Sequence, residues 1–222
     1  MIDTARAIDL SHEIVDGMVT HPGIPGPVIS TLLTHEASVE KYAPGTTFEI
    51  GRIDLVANTG TYIDTPAHRF PGRQDLAGLA LDRVVDLEGI VVDCRGRSET
   101  AIAPEAFEGV AVEGRAVLVW TGWDRHWGTP TYLSDHPFLT EAAARHLVGA
   151  GAALIGIDSL NIDSLADARR PAHTAILNAD IPLVEHLTGL DQLPPEGWRF
   201  FAVPPRIRGM ATFPIRAFAL LR

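Results

Sequence analysis

The sequence has a single cysteine, few basic residues and no long apolar run. Cys94 has no partner for a disulfide bond within the chain, and the first ten residues, MIDTARAIDL, lack the basic and apolar regions of a secretory signal. We therefore expect a cytoplasmic protein. Lys and Arg number 18 against 28 Asp and Glu, and the formal charge of −10 opposes binding to nucleic acid or to an anionic membrane surface. Because the apolar runs are far shorter than the ~20 residues that cross a bilayer, we also expect no membrane span.

The residues that the sequence does contain suit one folded domain. The chain has 222 residues, of which 46% are hydrophobic and 21% charged, so it can bury a sizeable core. We expect residues 1–222 to form a single domain. Cys94 follows an apolar, β-branched run, and we interpret it as a packed strand residue rather than as a nucleophile.

A strand, a helix and a second strand are predicted in the middle of the chain. Residues 116–120 form an apolar run typical of a buried strand, and residues 140–151 have the threonine cap, alanines and closing glycines of a helix. Residues 152–157 predict another buried strand. A right-handed crossover makes the two strands parallel, which indicates the α/β class. Further strands are predicted at 48–56, 89–94, 199–203 and 214–221, so we expect a mixed, largely β sheet with flanking helices.

Four polar side chains in the segment 58–68 are separated by even numbers of residues. They are Asn58, Tyr62, Asp64 and His68. In an extended chain all four would face one side, and a glycine and a proline between them favour a strand that leads into a loop at a sheet edge. The alternative is the solvent face of an amphipathic strand, but the threonines on the other face make a poor apolar side. The spacing therefore favours a polar site.

The same segment resembles the motif H-x-G-T-H-x-D-x-P-x-H of the cyclase family, metal-dependent hydrolases that include kynurenine formamidases and isatin hydrolases. Asn58 and Tyr62 stand where the family has its first two histidines. The similarity extends over nearly the whole chain and implies a single domain with the family's swivelling β/β/α fold. The matching motif positions are Gly60, Thr61, Asp64, Pro66 and His68.

The resemblance also implies a set of site residues. By position, Asp64, His173 and Glu185 would be metal ligands and His68 the catalytic acid and base. Taken alone, His173 would be interpreted as a helix-capping residue and Glu185 as a solvated carboxylate. Because the first two motif histidines are absent, we expect one divalent ion per chain, with Zn²⁺ as the leading candidate and Mn²⁺ or Mg²⁺ as alternatives.

The function implied by the resemblance is hydrolysis of a C–N bond in a small, aromatic formamide, amide or lactam, similar to that of a kynurenine formamidase. Asn58 and Tyr62 would be catalytic as hydrogen-bond donors to the oxyanion, while His68 would accept and return a proton. Lactone hydrolysis, a cyclase or dehydratase reaction, and ligand binding by a catalytically degenerate member are the alternatives. Similar proteins form oligomers, so we expect a homodimer or homotetramer.

Several other residues keep two interpretations. Asp158 and Ser159 follow a predicted strand, where they either border a pocket or cap a local turn. His21 lies in a proline-rich loop from which it can reach the pocket, and the histidines other than His21, His68 and His173 are expected at the surface. Three tryptophans form either a flat wall for an aromatic substrate or part of the core. They are Trp120, Trp123 and Trp127.

Overall fold

The structure is a computed structural model, and it describes residues 6–221. Within this range, the α-helices are α1 (His35–Ser38), α2 (Glu141–Gly149) and α3 (Pro171–Asn178). The strands are β1 (Arg6–Asp9), β2 (Val28–Leu33), β3 (Ile50–Asp54), β4 (Tyr62–Asp64), β5 (Leu87–Asp93), β6 (Ala101–Ile102), β7 (Ala116–Trp120), β8 (Phe138–Leu139), β9 (Leu154–Ile157), β10 (Leu183–Glu185), β11 (Glu196–Phe201), β12 (Thr212–Pro214) and β13 (Phe218–Leu221).

Nine of the described strands form one mixed sheet in the order β1-β13-β11-β5-β7-β9-β10-β4-β12. The centre of the sheet is parallel, because β5, β7, β9 and β10 run in one direction. The strands on either side are antiparallel to their neighbours. The predicted parallel pair, here β7 and β9, is confirmed, and so is the α/β class with a mixed sheet.

Both faces of the sheet are buried, which explains the unbroken apolar runs of its central strands. In β7, Val117 and Val119 belong to the core on the side of α2 and α3, whereas Ala116 and Leu118 belong to the core on the opposite side. Cys94 is part of the first core, and its burial raises the pKa of its thiol to about 11. Its interpretation as a packed residue is confirmed.

The predicted helix at 140–151 is confirmed as α2. Thr140 Oγ1 accepts the amide proton of Ala143 at 3.1 Å and so caps the first turn. Gly151 follows the helix with a φ of +80°, a conformation that glycine adopts without the strain of a side chain. The buried residues of α2, among them Ala143 and Leu147, pack towards the sheet.

The prediction of one strand at 214–221 is wrong. The chain forms two strands there, because β12 pairs with β4 whereas β13 pairs with β1 and β11. Residues 215–217 join these two strands. At one end of the connection Ile215 N donates to Thr61 O at 3.0 Å, and at the other end Ala217 O accepts from Leu10 N at 2.9 Å. Such a connection spans on the order of 10–15 Å. The sheet therefore curls until its two edges come close together.

The strands β2 and β3 form a separate antiparallel hairpin. β3 confirms the central part of the strand predicted at 48–56, and β2 is an element that the sequence patterns above do not predict. Among the described residues, no helix combines the length and apolar character needed to cross a bilayer. The hairpin exposes large apolar side chains on both strands, namely Val28, Ile29, Leu32, Ile50 and Ile53.

Candidate functional site

Two neighbouring strands, β4 and β10, bring together residues that are distant in the sequence. Glu185 lies directly opposite Tyr62, and Leu183 lies opposite Asp64. Cross-strand partners project to the same face, so the side chains of Tyr62 and Glu185 meet. Asp64 lies two residues after Tyr62 and faces the same side of the sheet.

These strands adjoin a cavity of about 600 Å³. Asn58, Tyr62 and His68 all line it, but the segment is not extended throughout, because residues 66–68 form a 3-10 turn. The prediction of an edge strand is also wrong, since β12 covers β4 on its outer side. The lining residues are His21, Pro22, Ile24, Asn58, Tyr62, His68, Arg69, Asn161, Leu165, Arg170, His173 and Glu185.

Asp64 is fully buried, and neither of its carboxylate oxygens has a hydrogen-bond partner among the described residues. Its Oδ2 lies 3.7 Å from Nε2 of His173, and its Oδ1 lies 3.9 Å from Nε2 of His68. A buried carboxylate without a donor is energetically costly, and a bound cation would remove that cost. One ligand atom from each of these three residues lies within 4.8 Å of the other two. The cluster therefore fits a divalent ion with bonds of ~2.0–2.2 Å.

His173 is held with one ring nitrogen directed at Asp64. Its Nδ1 lies 2.7 Å from Oδ2 of Asp163, and since a carboxylate only accepts, Nδ1 carries the proton. Asp163 also accepts the amide protons of Ala172 and His173 at the start of α3. The motifs above do not include Asp163, although a carboxylate behind a metal-binding histidine is a common arrangement. Nε2 of His173 is therefore the ring nitrogen that is available to a metal ion once it has lost its proton.

Glu185 is fully buried, and its Oε1 lies 3.7 Å from Nε2 of His173. Oε1 accepts the amide proton of Ile162 at 2.6 Å, and Oε2 accepts the hydroxyl proton of Tyr62 at 2.5 Å. Burial raises the pKa of Glu185 to about 7, and His173 opposes this rise. A cation nearby would favour the charged carboxylate. Glu185 can therefore serve as an anionic ligand beside His173.

The hydroxyl of Tyr62 is already engaged. Its proton is donated to Glu185, and its oxygen lies 3.0 Å from Nε2 of His21. Asn58 accepts from the Thr212 hydroxyl at 3.3 Å and lowers the pKa of Tyr62. Burial raises the pKa of Tyr62 well above its ordinary value, and the charges of Glu185 and Asp64 raise it further. A hydroxyl has only one proton to donate. In this structure that proton goes to Glu185, and the contact supports Glu185.

Two further histidines adjoin this cluster. Nε2 of His21 lies 3.0 Å from the Tyr62 hydroxyl and 3.3 Å from Nε2 of His186, whose Nδ1 lies 2.8 Å from the Tyr132 hydroxyl. His21 thus reaches the pocket as expected, whereas the surface expectation is wrong for the fully buried His186. Burial lowers the pKa of His21 to about 4 and that of His186 well below its ordinary value. His21, Glu185 and His186 also have metal-ligand spacing, but their polar atoms are hydrogen-bonded within the protein.

The electrostatic field around His173 is strongly negative. Burial lowers the pKa of His173, but Glu185, Asp163 and Asp64 together outweigh burial and raise it to about 10. The same field attracts a divalent cation. Imidazole and carboxylate donors suit Zn²⁺, Mn²⁺ and Mg²⁺. The types of ligand atom around Asp64 and their spacing therefore both suit a divalent ion.

Asp158 and Ser159 lie outside the cavity lining. Asp158 accepts hydrogen bonds from the amide groups of Thr121 and Gly122 at 2.8 and 2.7 Å and from the Thr121 hydroxyl at 2.5 Å. Ser159 donates its hydroxyl proton to Pro137 O at 2.6 Å. Neither residue borders this cavity, and Asp158 does not cap its own turn, because it binds a turn at 121–122 that lies 36 and 37 residues earlier in the chain.

None of the three tryptophans lines the described cavity. Trp120 lies under the guanidinium of Arg95, 3.4 Å from it, and Trp123 donates its ring N–H to Tyr132 O at 3.1 Å. Trp127 stacks on His12 with ring centroids 3.8 Å apart. The hypothesis of an aromatic wall for the substrate is therefore wrong for this cavity.

Comparison with known proteins agrees with this geometry. The profile of the family described as "Putative cyclase" matches residues 8–164. The kynurenine formamidase of Salinibacter ruber is 30% identical over 173 residues, covering 76% of this chain and 78% of the relative. The kynurenine formamidase of Geobacillus thermodenitrificans is 26% identical over 217 residues, covering 95% of both chains.

Solved structures have the same fold. Isatin hydrolase A from Ralstonia solanacearum superposes with a TM-score of 0.83 at 23% identity, covering 98% of this chain and 92% of that protein. A potential metal-dependent hydrolase with cyclase activity superposes with a TM-score of 0.81 at 24% identity and 99% coverage of both chains.

Proposed function

The chain belongs to the cyclase family, and on that premise we propose that it is a metal-dependent hydrolase that cleaves a C–N bond, other than a peptide bond, in a small formamide, amide or lactam. The observation that carries this proposal is the pair of unpartnered, buried Asp64 oxygens facing the imidazoles of His68 and His173. The relatives named kynurenine formamidase support the type of bond.

One divalent ion per chain would be held by Asp64, His173 and Glu185, which leaves His68 of the same cluster free for proton transfer. His173 would bind the ion through Nε2 after losing the proton there, while Asp163 keeps the other proton on Nδ1. Asp64 and Glu185 supply the negative charge that balances the ion. Zn²⁺ is the leading candidate, with Mn²⁺ or Mg²⁺ as alternatives, since all three accept carboxylate and imidazole ligands.

When bound, such an ion supplies Lewis-acid activation of water and of a carbonyl group. His68 lies at the cavity side of Asp64 with its side chain 36% exposed, so water and substrate can reach it. Its imidazole accepts a proton from the attacking water and returns it to the nitrogen of the leaving amine. Breaking the C–N bond then releases a carboxylic acid, which is formic acid for a formamide, and the free amine.

Tyr62 and Asn58 act through Glu185. The Tyr62 hydroxyl donates to Glu185, and Asn58 lines the cavity beside Tyr62 and lowers the pKa of its hydroxyl. Two side chains that replace ligands of the family motif thus fix the orientation of a remaining one. His21 and His186 complete the packing of this hydrogen-bonded group.

The functional form is a homodimer or homotetramer located in the cytoplasm. The hairpin of β2 and β3 supports association between copies, because its exposed apolar side chains form a surface that monomeric proteins seldom leave uncovered. The single buried cysteine supports the reducing compartment. Light scattering tests the assembly, and a mass of 23.9 kDa at every concentration would contradict it.

The activity is tested by freeing the purified protein of metal, reloading it with Zn²⁺, Mn²⁺ or Mg²⁺, and offering formylated aromatic amines, lactams and lactones. We expect amine release that depends on the metal and that His173→Ala abolishes. Arg169→Gln is the matched control, because Arg169 is exposed and paired with Asp167 at 2.7 Å. Bound metal without turnover of any of these compounds would favour a ligand-binding protein instead.

A further inference from the structure

Two arginines stand at the cavity, beside the first turn of α3. Arg69 is exposed and donates its Nε proton to Oγ1 of Thr174 at 3.1 Å. Arg170 is half-buried and donates an Nη1 proton to Ser164 O at 2.8 Å. Thr174 N in turn donates to Arg170 O at 2.9 Å, so both arginines are tied to the same turn. Both arginines line the cavity that holds His68 and His173.

Neither guanidinium has a carboxylate partner within 4.0 Å among the described residues. Nearby arginines do have one, since Arg169 pairs with Asp167 and Arg73 pairs with Asp180. The lining of the cavity contains one carboxylate, Glu185, which is directed at His173 and Tyr62. In a chain with 28 acidic residues, Arg69 and Arg170 are thus left without an ion-pair partner among the described residues, while the carboxylates of the site face His173.

The backbone at Arg170 is strained in a way that fixes its position. Its φ of +50° and ψ of 60° lie in the left-handed region, which non-glycine residues rarely adopt and which is unusual before a proline such as Pro171. Such strain persists where surrounding contacts hold the chain, and it is concentrated at functional sites. Arg170 therefore combines a strained backbone with a charged side chain at the cavity.

Part of the cavity lining is apolar. Ile24, Pro22 and Leu165 line the cavity together with the two arginines. A guanidinium binds a carboxylate through two parallel hydrogen bonds, which favours a planar anionic group over a neutral one. Apolar side chains beside it suit a hydrocarbon or aromatic body.

We propose that Arg69 and Arg170 form the binding site for a carboxylate on the substrate, so that this enzyme acts on small carbonyl compounds with an apolar body and an anionic group. The inference rests on the proposed hydrolase function for the reacting bond, but the recognition of the anion depends only on the two arginines. Arg69 and Arg170 are then residues that contact the substrate and determine specificity.

The kinetic test compares formanilides that carry a carboxylate at the ortho, meta or para position with their methyl esters, which have nearly the same shape without the charge. For at least one position we expect KM to be roughly ten- to hundredfold lower for the acid than for the ester. Arg69→Gln and Arg170→Gln should each reduce this ratio about tenfold or more. Arg69→Lys should keep part of it, and Arg169→Gln should leave it unchanged.

A binding measurement separates this inference from the hydrolase proposal. Calorimetry with benzoate and benzamide on the metal-loaded protein needs no turnover. We expect benzoate to bind at least tenfold more tightly, and we expect Arg69→Gln and Arg170→Gln to remove the preference. Equal binding of the two compounds by the wild-type protein would overturn the inference. A preference that survives both substitutions would overturn it too, because the carboxylate would then be held by the metal ion alone.

Discussion

Asp163 accepts the Nδ1 proton of His173 at 2.7 Å, and the opposite ring nitrogen of His173 then lies 3.7 Å from one oxygen each of Asp64 and Glu185. One carboxylate therefore both caps the first turn of α3 and selects the tautomer of a candidate metal ligand. The orientation of His173 is a consequence of how the helix begins.

Asp163→Ala should weaken metal binding by about ten- to a hundredfold, because His173 would lose the group that fixes its tautomer and orientation. It should also destabilise the protein by about 1–2 kcal/mol through the lost cap. Thr140→Ala is the matched control, since it removes the cap of α2 far from the metal ligands. Metal titration and thermal unfolding measure both effects. Equal metal affinity in the two variants would contradict the role of Asp163.

Tyr62→Phe should weaken metal binding and reduce turnover together, because Glu185 would lose a buried hydrogen bond from Tyr62. A fall of about tenfold in metal affinity is expected. Tyr42→Phe removes an exposed hydroxyl and should change neither quantity. A fall in kcat of about a hundredfold with unaltered metal affinity would instead show that Tyr62 donates directly to an oxyanion.

The stability of the protein should depend on pH through His12. Burial lowers the pKa of His12 to about 4, and its Nε2 has no hydrogen-bond partner within residues 6–221, while the ring stacks on Trp127. As the pH falls below about 6.5, the unfolded chain takes up a proton that folded His12 refuses, so stability is lost progressively down to about pH 4. His12→Phe keeps the stacking. Between pH 7 and pH 5, we expect His12→Phe to lose about 1–2 kcal/mol less folding stability than the wild type.

Thermal or denaturant unfolding of both proteins at the two pH values measures this difference. An identical loss of stability in wild type and His12→Phe would show that His12 is protonated in the folded protein.

The parts of the site that the sequence predicts are those that lie close together in the chain. Tyr62 and Asp64 share a strand, and even spacing is enough to place them on one face. Asn58 and His68 reach the same cavity through a bend and a 3-10 turn. Even spacing in an extended chain therefore explains the positions of Tyr62 and Asp64 but not those of Asn58 and His68. Membership of His173 in the cluster was implied only by the resemblance to the cyclase family.

The parts that the sequence does not predict depend on long-range packing. His186 is buried against His21 and Tyr132, which are 165 and 54 residues away. The two strands β12 and β13 look like one apolar segment, and only the curl of the sheet divides it. Arg69 and Arg170 belong to no motif, and both line one cavity and hydrogen-bond to Thr174.

The metal content of the wild-type protein and of Asp64→Asn tests the central claim most directly. Both proteins are dialysed against a metal-buffered solution that contains Zn²⁺, Mn²⁺ and Mg²⁺, and the ions retained per chain are counted by elemental analysis. We predict about one tightly held ion per chain in the wild type and none in Asp64→Asn, with the circular dichroism of the two proteins unchanged. No retained ion in the wild type, or the same content in both proteins, would contradict a metal centre built on Asp64.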